Sequence, residues 1–387
     1  YGDHRDLHTA YRRQRQMCIR DRLLPEKPYI KSFAIKNFKA FRNGVLNLAP
    51  LTILIGENSS GKSSILQALL LIKQTLESPI GSGVLNLNSH YVQFRQFREI
   101  VFGMPLDEAI LDFELKTDDF KVGFKVGLKK KEEFVTLLEW RVNNELLPIK
   151  NKTLSDAVRI SSPQLFPLFA NLGYIRPIRP APERYYTLYG IQPDWIGVQA
   201  ENIADFLESN PEVRQNVQHW FVKTAQLAHQ VQFKSDAQRG QMEILFTEAS
   251  TGLELDISRL GFGYSQILPI VTATFSKMGM LIFEAPEIHL NPSLHGVLAD
   301  LFIKGANSGK HILVETHSEH VIYRLQRRIA EGKIALTDVA IYYVRRGAEG
   351  SVVERLDITK TGEMPNWPDG FFDARMQDVF ARVLATQ

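Results

Sequence analysis

Leu51-Thr52-Ile53-Leu54-Ile55-Gly56-Glu57-Asn58-Ser59-Ser60-Gly61-Lys62-Ser63-Ser64-Ile65-Leu66 decides the fold. The run Leu51 to Ile55 is apolar without alternation, which predicts a strand buried on both faces. Ser64 to Ile72 has the content and spacing of a helix. Strand, glycine loop and helix in this order make a P-loop. In such a loop successive backbone N–H groups curl around phosphates and the helix N-terminus adds its positive dipole end. Lys62 reaches the β- and γ-phosphates, and Ser63 ligates Mg²⁺. Gly56, Glu57, Asn58, Ser59, Ser60, Gly61, Lys62, Ser63 and Ser64 are therefore the candidate nucleotide-binding residues. A chance match in a serine-rich turn is the alternative, and the flanking strand and helix argue against it.

Around this loop lie 387 residues with 46 Lys+Arg, 43 Asp+Glu, a formal charge of +3 and one cysteine. At 44% hydrophobic and 23% charged the composition is globular, which excludes disorder, collagen and a disulfide scaffold. No apolar stretch approaches the roughly 20 residues that span a bilayer, since Gly and Pro break the run Leu260 to Phe275, so no membrane partner is expected. One thiol cannot form an internal disulfide, which fits a reducing, cytoplasmic compartment.

The first 22 residues stand apart. They carry Arg5, Arg12, Arg13, Arg15, Arg20 and Arg22 against Asp3, Asp6 and Asp21, with no apolar period and no signal-peptide core. Met17-Cys18-Ile19-Arg20-Asp21-Arg22 reads as the translation of a sequencing-library adapter, the alternative being a disordered basic arm. Without this segment the positive and negative residues balance, so net charge says nothing about partners, and any nucleic-acid contact needs a local arrangement of arginines.

A P-loop alone does not separate kinase, GTPase and motor. After residue 255, Met278 to Phe283 is a short apolar run ending in Glu284-Ala285-Pro286-Glu287-Ile288-His289-Leu290-Asn291-Pro292. A buried strand that delivers carboxylates at its C-terminal tip is where a parallel sheet presents chemistry to a nucleotide. Ahead of it Gly261-Phe262-Gly263-Tyr264-Ser265-Gln266 opens a helical run expected from Ile267 to Phe275, a second anion site. Behind it His311 to Glu315 reads as another strand and places His317 at its end. Singly, each has a bland reading as a turn, a cap or a surface histidine; in this order after a P-loop they point to an ATPase.

With these residues in view the sequence resembles the ABC-type ATPases of the SMC, RecF and overcoming-lysogenization-defect group, from Tyr29 to Phe372. Ile35 to Phe41 is similar to the group's first hairpin, Gly56 to Ser63 to its Walker A loop and Gly261 to Gln266 to its signature motif. Glu284 to Pro292 is similar to its Walker B region and His317 to its switch histidine. Gly173 to Tyr186 and Trp367-Pro368-Asp369-Gly370-Phe371-Phe372-Asp373 resemble a branch of prokaryotic AAA-class ATPases with an uncharacterised C-terminal domain. Some of that branch serve anti-phage or DNA-processing systems beside a nuclease.

The resemblance implies ATP and Mg²⁺ as cofactors, with Ser63 and Glu284 as metal residues and Glu284, Glu287 and His317 as catalytic ones. It also implies a homodimer sandwiching two ATPs, each site joining one chain's Walker A loop to Gly263, Ser265 and Gln266 of the other. Such binding shifts a conformational equilibrium only because the γ-phosphate differs before and after hydrolysis. The family's usual acid pair is here Glu284-Ala285, and Ala285 cannot accept a proton. Either Glu287 activates water or hydrolysis is slow and the protein is an ATP-gated clamp. Asn291 replaces the usual second His, and either Gln93 or Gln96 stands for the Q-loop residue.

The expected architecture is α/β: a P-loop ABC-type head with a mixed sheet flanked by helices, plus an inserted antiparallel-β and helical subdomain. The head occupies 23–108 and 241–358, the insertion 109–240, and a C-terminal aromatic motif and helix 359–387, after the adapter-like 1–22. No sustained heptads predict a coiled-coil arm. Lys129-Lys130-Lys131 reads as a solvated strand tip in preference to a nucleic-acid contact, since Glu132 and Glu133 follow at once and no aromatic interleaves. Arg176, Arg179 and Arg184, on a path stiffened by Pro177, Pro180 and Pro182, suit either a ligand or ion pairing. The expected role is a regulatory or motor ATPase subunit in a DNA-processing or anti-phage system, beside a nuclease or other effector. The rivals are a non-hydrolysing ATP-gated scaffold and a transporter subunit, the latter disfavoured because the signature reads Gly-Tyr-Ser-Gln.

Overall fold

The computed structural model of the chain describes residues 29–79, 83–129, 134–149, 153–249 and 251–368. Residues 1–22, Lys130, Lys131, Ser250 and the aromatic motif from residue 369 onward lie outside them. The first hairpin is formed by β1 (Ser32–Phe38) and β2 (Phe41–Asn47). Phe38 and Phe41 pair directly across Lys39-Ala40, and both are fully buried. β3 (Leu51–Gly56) follows and passes through the glycine loop into α1 (Lys62–Glu77). β4 (Ala109–Lys116), β5 (Lys121–Leu128), β6 (Thr136–Val142) and β7 (Glu145–Leu146) extend the hairpin into an antiparallel sheet ordered β2-β1-β4-β5-β6-β7. Asn143 and Asn144, both at positive φ, make its last turn, a conformation asparagine tolerates.

α2 (Leu154–Ser161) and α3 (Leu165–Ala170) lead to β8 (Leu172–Ile175). A small antiparallel sheet is built around β11 (Gln241–Thr247), which pairs with β9 (Tyr185–Thr187), β10 (Gln230–Asp236) and β12 (Glu254–Asp256). α4 (Ile203–Ser209) and α5 (Pro211–His219) lie between β9 and β10 in the chain. Then come α6 (Phe262–Phe275), β13 (Met280–Glu284), α7 (Pro292–Asn307), β14 (His311–Glu315), α8 (Glu319–Ala330), β15 (Val339–Gly347) and β16 (Gly350–Leu356).

The central sheet is ordered β16-β15-β3-β14-β13-β8, with only the β15–β16 pair antiparallel. Alternate residues of its inner strands feed two separate cores, as the period of two in a strand requires. Leu54, Ile282, Leu313, Ala340 and Tyr342 face the core shared with α1 and the antiparallel sheet. Ile53, Leu281, Phe283, Val314 and Ile341 face the core shared with α6, α7 and α8. The P-loop strand is thus sealed on both sides, which explains its unbroken apolar run. The result is a mixed α/β fold whose sheets are flanked by helices.

The strands expected in an insertion share sheets with the expected head. β4 pairs with β1 from Ser32↔Lys116 to Lys36↔Asp112, β8 pairs with β13, and β10 pairs with β11. Boundaries at 109 and 240 therefore cross hydrogen-bonded ladders, because periodicity finds a strand without finding its partner. Helix α6 starts at Phe262, not Ile267, so Gly263, Ser265 and Gln266 lie inside it. No helix among the described residues is long and apolar enough to cross a membrane.

Candidate functional site

The P-loop has the backbone its chemistry needs. Gly56 sits at φ 145°, and a Cβ there would lie 2.1 Å from the Val344 carbonyl oxygen on β15. Gly61, at φ 109°, is the N-cap of α1, and a Cβ there would meet the Phe41 ring at 2.9 Å. Both positions demand glycine, for conformation and for space. Lys62, only 3% exposed, donates to the carbonyls of Gly56 at 3.0 Å and Glu57 at 2.7 Å. An ammonium has three donors, so these bonds aim the head along the loop and spare one for a phosphate. Burial lowers the Lys62 pKa, opposed by Glu315, Glu287 and Glu57.

Three strand ends bring the acids together. Glu284 closes β13 and Glu315 closes β14, paired side by side in register, while β14 pairs in turn with β3 below the loop. The Ser63 hydroxyl donates to Glu315 Oε1 at 2.9 Å. Burial and the neighbouring Glu284 push Glu315 up to about 7, against the pull of Ser63 and Lys62. Tyr174 on β8 donates its hydroxyl to Glu284. Glu287 is buried in the loop after β13, and its Oε1 accepts the His317 backbone N–H at 2.6 Å. The Oε2 atoms of Glu287 and Glu315 are buried without a partner. His317 lines the cleft, its pKa lowered by burial and by Lys62.

Of these residues Gly61, Lys62, Ser63, Glu315 and His317 line a cleft of about 680 Å³, within the range of small-molecule sites, whereas Glu284 and Glu287 are not among the residues lining it. One wall is the P-loop and α1; the other is the β1–β2 turn and the segment 99–104 ahead of β4, which contribute Lys39, Glu99 and Met104. Lys39, held at φ 49° in the hairpin turn, donates to Gln67 of α1 at 2.6 Å. Asn58, Ser59, Gly61, Ser63 and Ser64 line the cleft, and Ser60 is buried behind them.

The donor set fits a magnesium nucleotide. Among the described residues no group of three or more His, Cys, Asp or Glu could hold a metal by itself. Mg²⁺ characteristically takes one or two carboxylates and completes its shell with phosphate oxygens and water. The Ser63 hydroxyl, the orphaned Oε2 of Glu315 and a loop that excludes Cβ atoms supply the protein's share of such a site.

Other expected residues lie elsewhere. Ser265 is buried, with its hydroxyl donating to Phe262 O at 2.8 Å. Gln266 is wholly buried, and its amide donates to Pro180 O at 3.0 Å. Gly263 has no heavy atom within 3.4 Å of a would-be Cβ and lies near His289 O. Gln93 and Gln96 are exposed and neither lines the cleft; Gln67 does. Arg176 donates to the carbonyls of His90 and Tyr91, and Arg184 pairs with Glu243. Trp367 stacks on Tyr323 of α8. Glu315, Lys39 and Tyr174 escape sequence reasoning. The signal for Glu315 was present: a carboxylate ending an apolar strand just before Thr316-His317.

Comparison with known proteins gives the class. A family profile described as "AAA domain, putative AbiEii toxin, Type IV TA system" matches residues 51–322, and one described as a protein of unknown function (DUF3696) matches residues 334–381. No curated protein matches the chain. Among solved structures, an Smc head bound to the C-winged helix domain of ScpA is similar at 16% identity and a TM-score of 0.56, over 85% of this chain and 98% of that one. An Smc head with an extended coiled coil from Pyrococcus furiosus, bound to the C-terminal domain of ScpA, is similar at 12% identity and a TM-score of 0.54, over 92% and 99%. At such identities the likeness is one of fold, and that fold is the P-loop ATPase head already described. Since the first profile spans most of the chain, the protein belongs to the AAA-domain family of P-loop ATPases described as AbiEii-toxin-like.

Proposed function

We propose that the chain binds Mg·ATP in the cleft beside α1 and hydrolyses it. The observation that carries this reading is the convergence of Lys62, Ser63, Glu284, Glu287 and Glu315 at the C-terminal edge of one parallel sheet. Lys62 and the loop amides hold the phosphates, and the bound Mg²⁺ neutralises their charge. Glu287, its Oε1 fixed by the His317 amide, offers Oε2 to the attacking water. Water attacks the γ-phosphorus, the bond to the β-phosphate oxygen breaks, and the water's proton passes to Glu287 and on to phosphate, leaving ADP and phosphate.

Two chains pair head to head around two nucleotides, the start of α6 at Gly261–Ser265 of each facing the other's P-loop. The γ-phosphate is what the two states contact differently. The chain then acts as a regulatory or motor subunit in a DNA-processing or anti-phage system, beside a nuclease or other effector. Steady-state ATP hydrolysis with and without DNA, combined with sedimentation in a non-hydrolysable ATP analogue, tests it. No turnover and no ATP-dependent change in mass would sink it.

The second reading is an ATP-gated scaffold that barely hydrolyses. It is favoured by Ala285, which follows Glu284 where the group's second acid stands. ATP-dependent dimerisation without turnover selects it.

A further inference from the structure

Arg179 occupies an unusual position. Only 3% of it is exposed, yet among the described residues no carboxylate forms an ion pair with it. Its NH2 donates to the carbonyls of Pro286 at 3.3 Å and Ile288 at 3.2 Å, the residues on either side of Glu287. Its Nε donates to Gln266 Oε1 at 3.2 Å, and the Gln266 amide donates to Pro180 O at 3.0 Å and Ser265 Oγ at 3.3 Å. Its NH1 is buried without a partner, as is Glu287 Oε2.

Burying a guanidinium costs several kcal/mol before compensation, and three neutral acceptors at 3.2 Å or more would be an inefficient way to stabilise a core. The geometry suits another purpose. One planar, five-donor group spans two elements that otherwise meet only through packing: the first turn of α6 and the turn bearing Glu287. Because the two carbonyls it holds bracket Glu287, a shift of the guanidinium rotates the peptide units from which that carboxylate projects. The backbone there is already tense, with Ala285 at φ 42° and His289 at φ 65°, so the loop needs an external brace to keep one shape.

We propose that Arg179 is the positioning residue for Glu287 and links the first turn of α6 to that carboxylate, so that what docks on Gly261–Ser265 sets how fast bound ATP is hydrolysed. This rests on the ATPase reading above. It assigns Arg179 no contact with nucleotide; the residue acts through Glu287, and a displacement of about 1 Å at a catalytic group can cost on the order of a hundredfold in rate.

The test uses the full chain with Arg179→Lys, which keeps charge but not the fork, and Gln266→Leu, which cuts the α6 link and leaves both carbonyl bonds. A fluorescent ATP analogue reports binding, turnover reports kcat and KM, and amide exchange reports residues 285–291 against residues 56–64. Both variants are expected to bind the analogue within about threefold of wild type while kcat falls about tenfold or more at similar KM. Exchange should rise at 285–291 and stay unchanged at 56–64. Combining the two changes should cost little more than the worse one alone, because they break one path. Unchanged exchange at 285–291 in Arg179→Lys, or binding and melting temperature falling in step with kcat, would overturn the proposal. If the wild type binds ATP without hydrolysing it, the hydrolytic reading fails, while the exchange comparison still decides whether Arg179 braces the loop.

Discussion

The Ser63 hydroxyl donates to Glu315 Oε1 at 2.9 Å, so the residue that ends the phosphate loop is tied to the tip of β14. The nucleotide side of the cleft and its acidic side are therefore in contact before any ligand bridges them. A ligand cation has to replace or share that bond.

Glu315→Gln should separate stability from function. Burial raises the Glu315 pKa from its ordinary 4.5 to about 7, so the fold prefers the protonated form. Its contribution is fully present below about pH 4.5 and is lost as pH rises through about 7. The amide variant should flatten this decline and stabilise nucleotide-free protein at pH 8 by at most about 3 kcal/mol. The same variant should weaken Mg²⁺-dependent ATP binding. Thermal melts at pH 5 and pH 8, with titrations of ATP with and without Mg²⁺, check both halves.

Lys62→Ala should abolish nucleotide binding, and Glu287→Gln should lower turnover at least about tenfold while leaving binding intact. Single-turnover hydrolysis and equilibrium binding separate the two. Glu287→Gln turning over at the wild-type rate removes Glu287 as the base.

Ala285→Glu restores an acid after Glu284 but should not raise turnover. Ala285 is buried, lies at φ 42° and donates its amide to Glu315 O, so a new carboxylate would crowd Glu284 and Glu315. A loss of about 2–4 kcal/mol is expected, the cost of a buried unpaired polar group and more. Denaturant titration and a rate assay read this out, and an accelerated variant would show that the site lacked its base.

Gly56→Ala should be among the most damaging small changes. The added methyl meets the Val344 carbonyl at 2.1 Å and forces an L-residue to φ 145°. Strain alone costs about 1–3 kcal/mol, before β15 has to move. Soluble yield and melting temperature measure it.

What was legible in the sequence was whatever its residues carry in one short stretch. Leu51 to Ser63 announces a strand, a loop and an anion site because all three are local. The parallel strands ending in Glu284 and Glu315 were also readable as strands, since burial on both faces removes alternation. Registers were not. Glu315 gains its place only when β14 pairs with β3 and β13, and Arg179 only when β8 carries its chain past α6 and the loop after β13. Gln93 and Gln96 were candidates by type, yet the cleft is lined by Gln67, on the helix that the P-loop itself starts. The sharing of one sheet across residue 109 was not readable for the same reason, because a ladder between β1 and β4 leaves no mark on either strand.

The strand order of the central sheet also sets a timetable. β3 lies between β14 and β15, so Gly56 leaves the ribosome long before Val344, the residue it must pack against. At about 5–20 residues per second that interval is on the order of tens of seconds. Until β14 is made the apolar strand Leu51–Gly56 has no neighbour on either hydrogen-bonding edge, and until Glu315 is made the cleft lacks its acidic side. Nucleotide can help this fold only once the strands ending in Glu284 and Glu315 are made, and until then the P-loop strand is a target for chaperones.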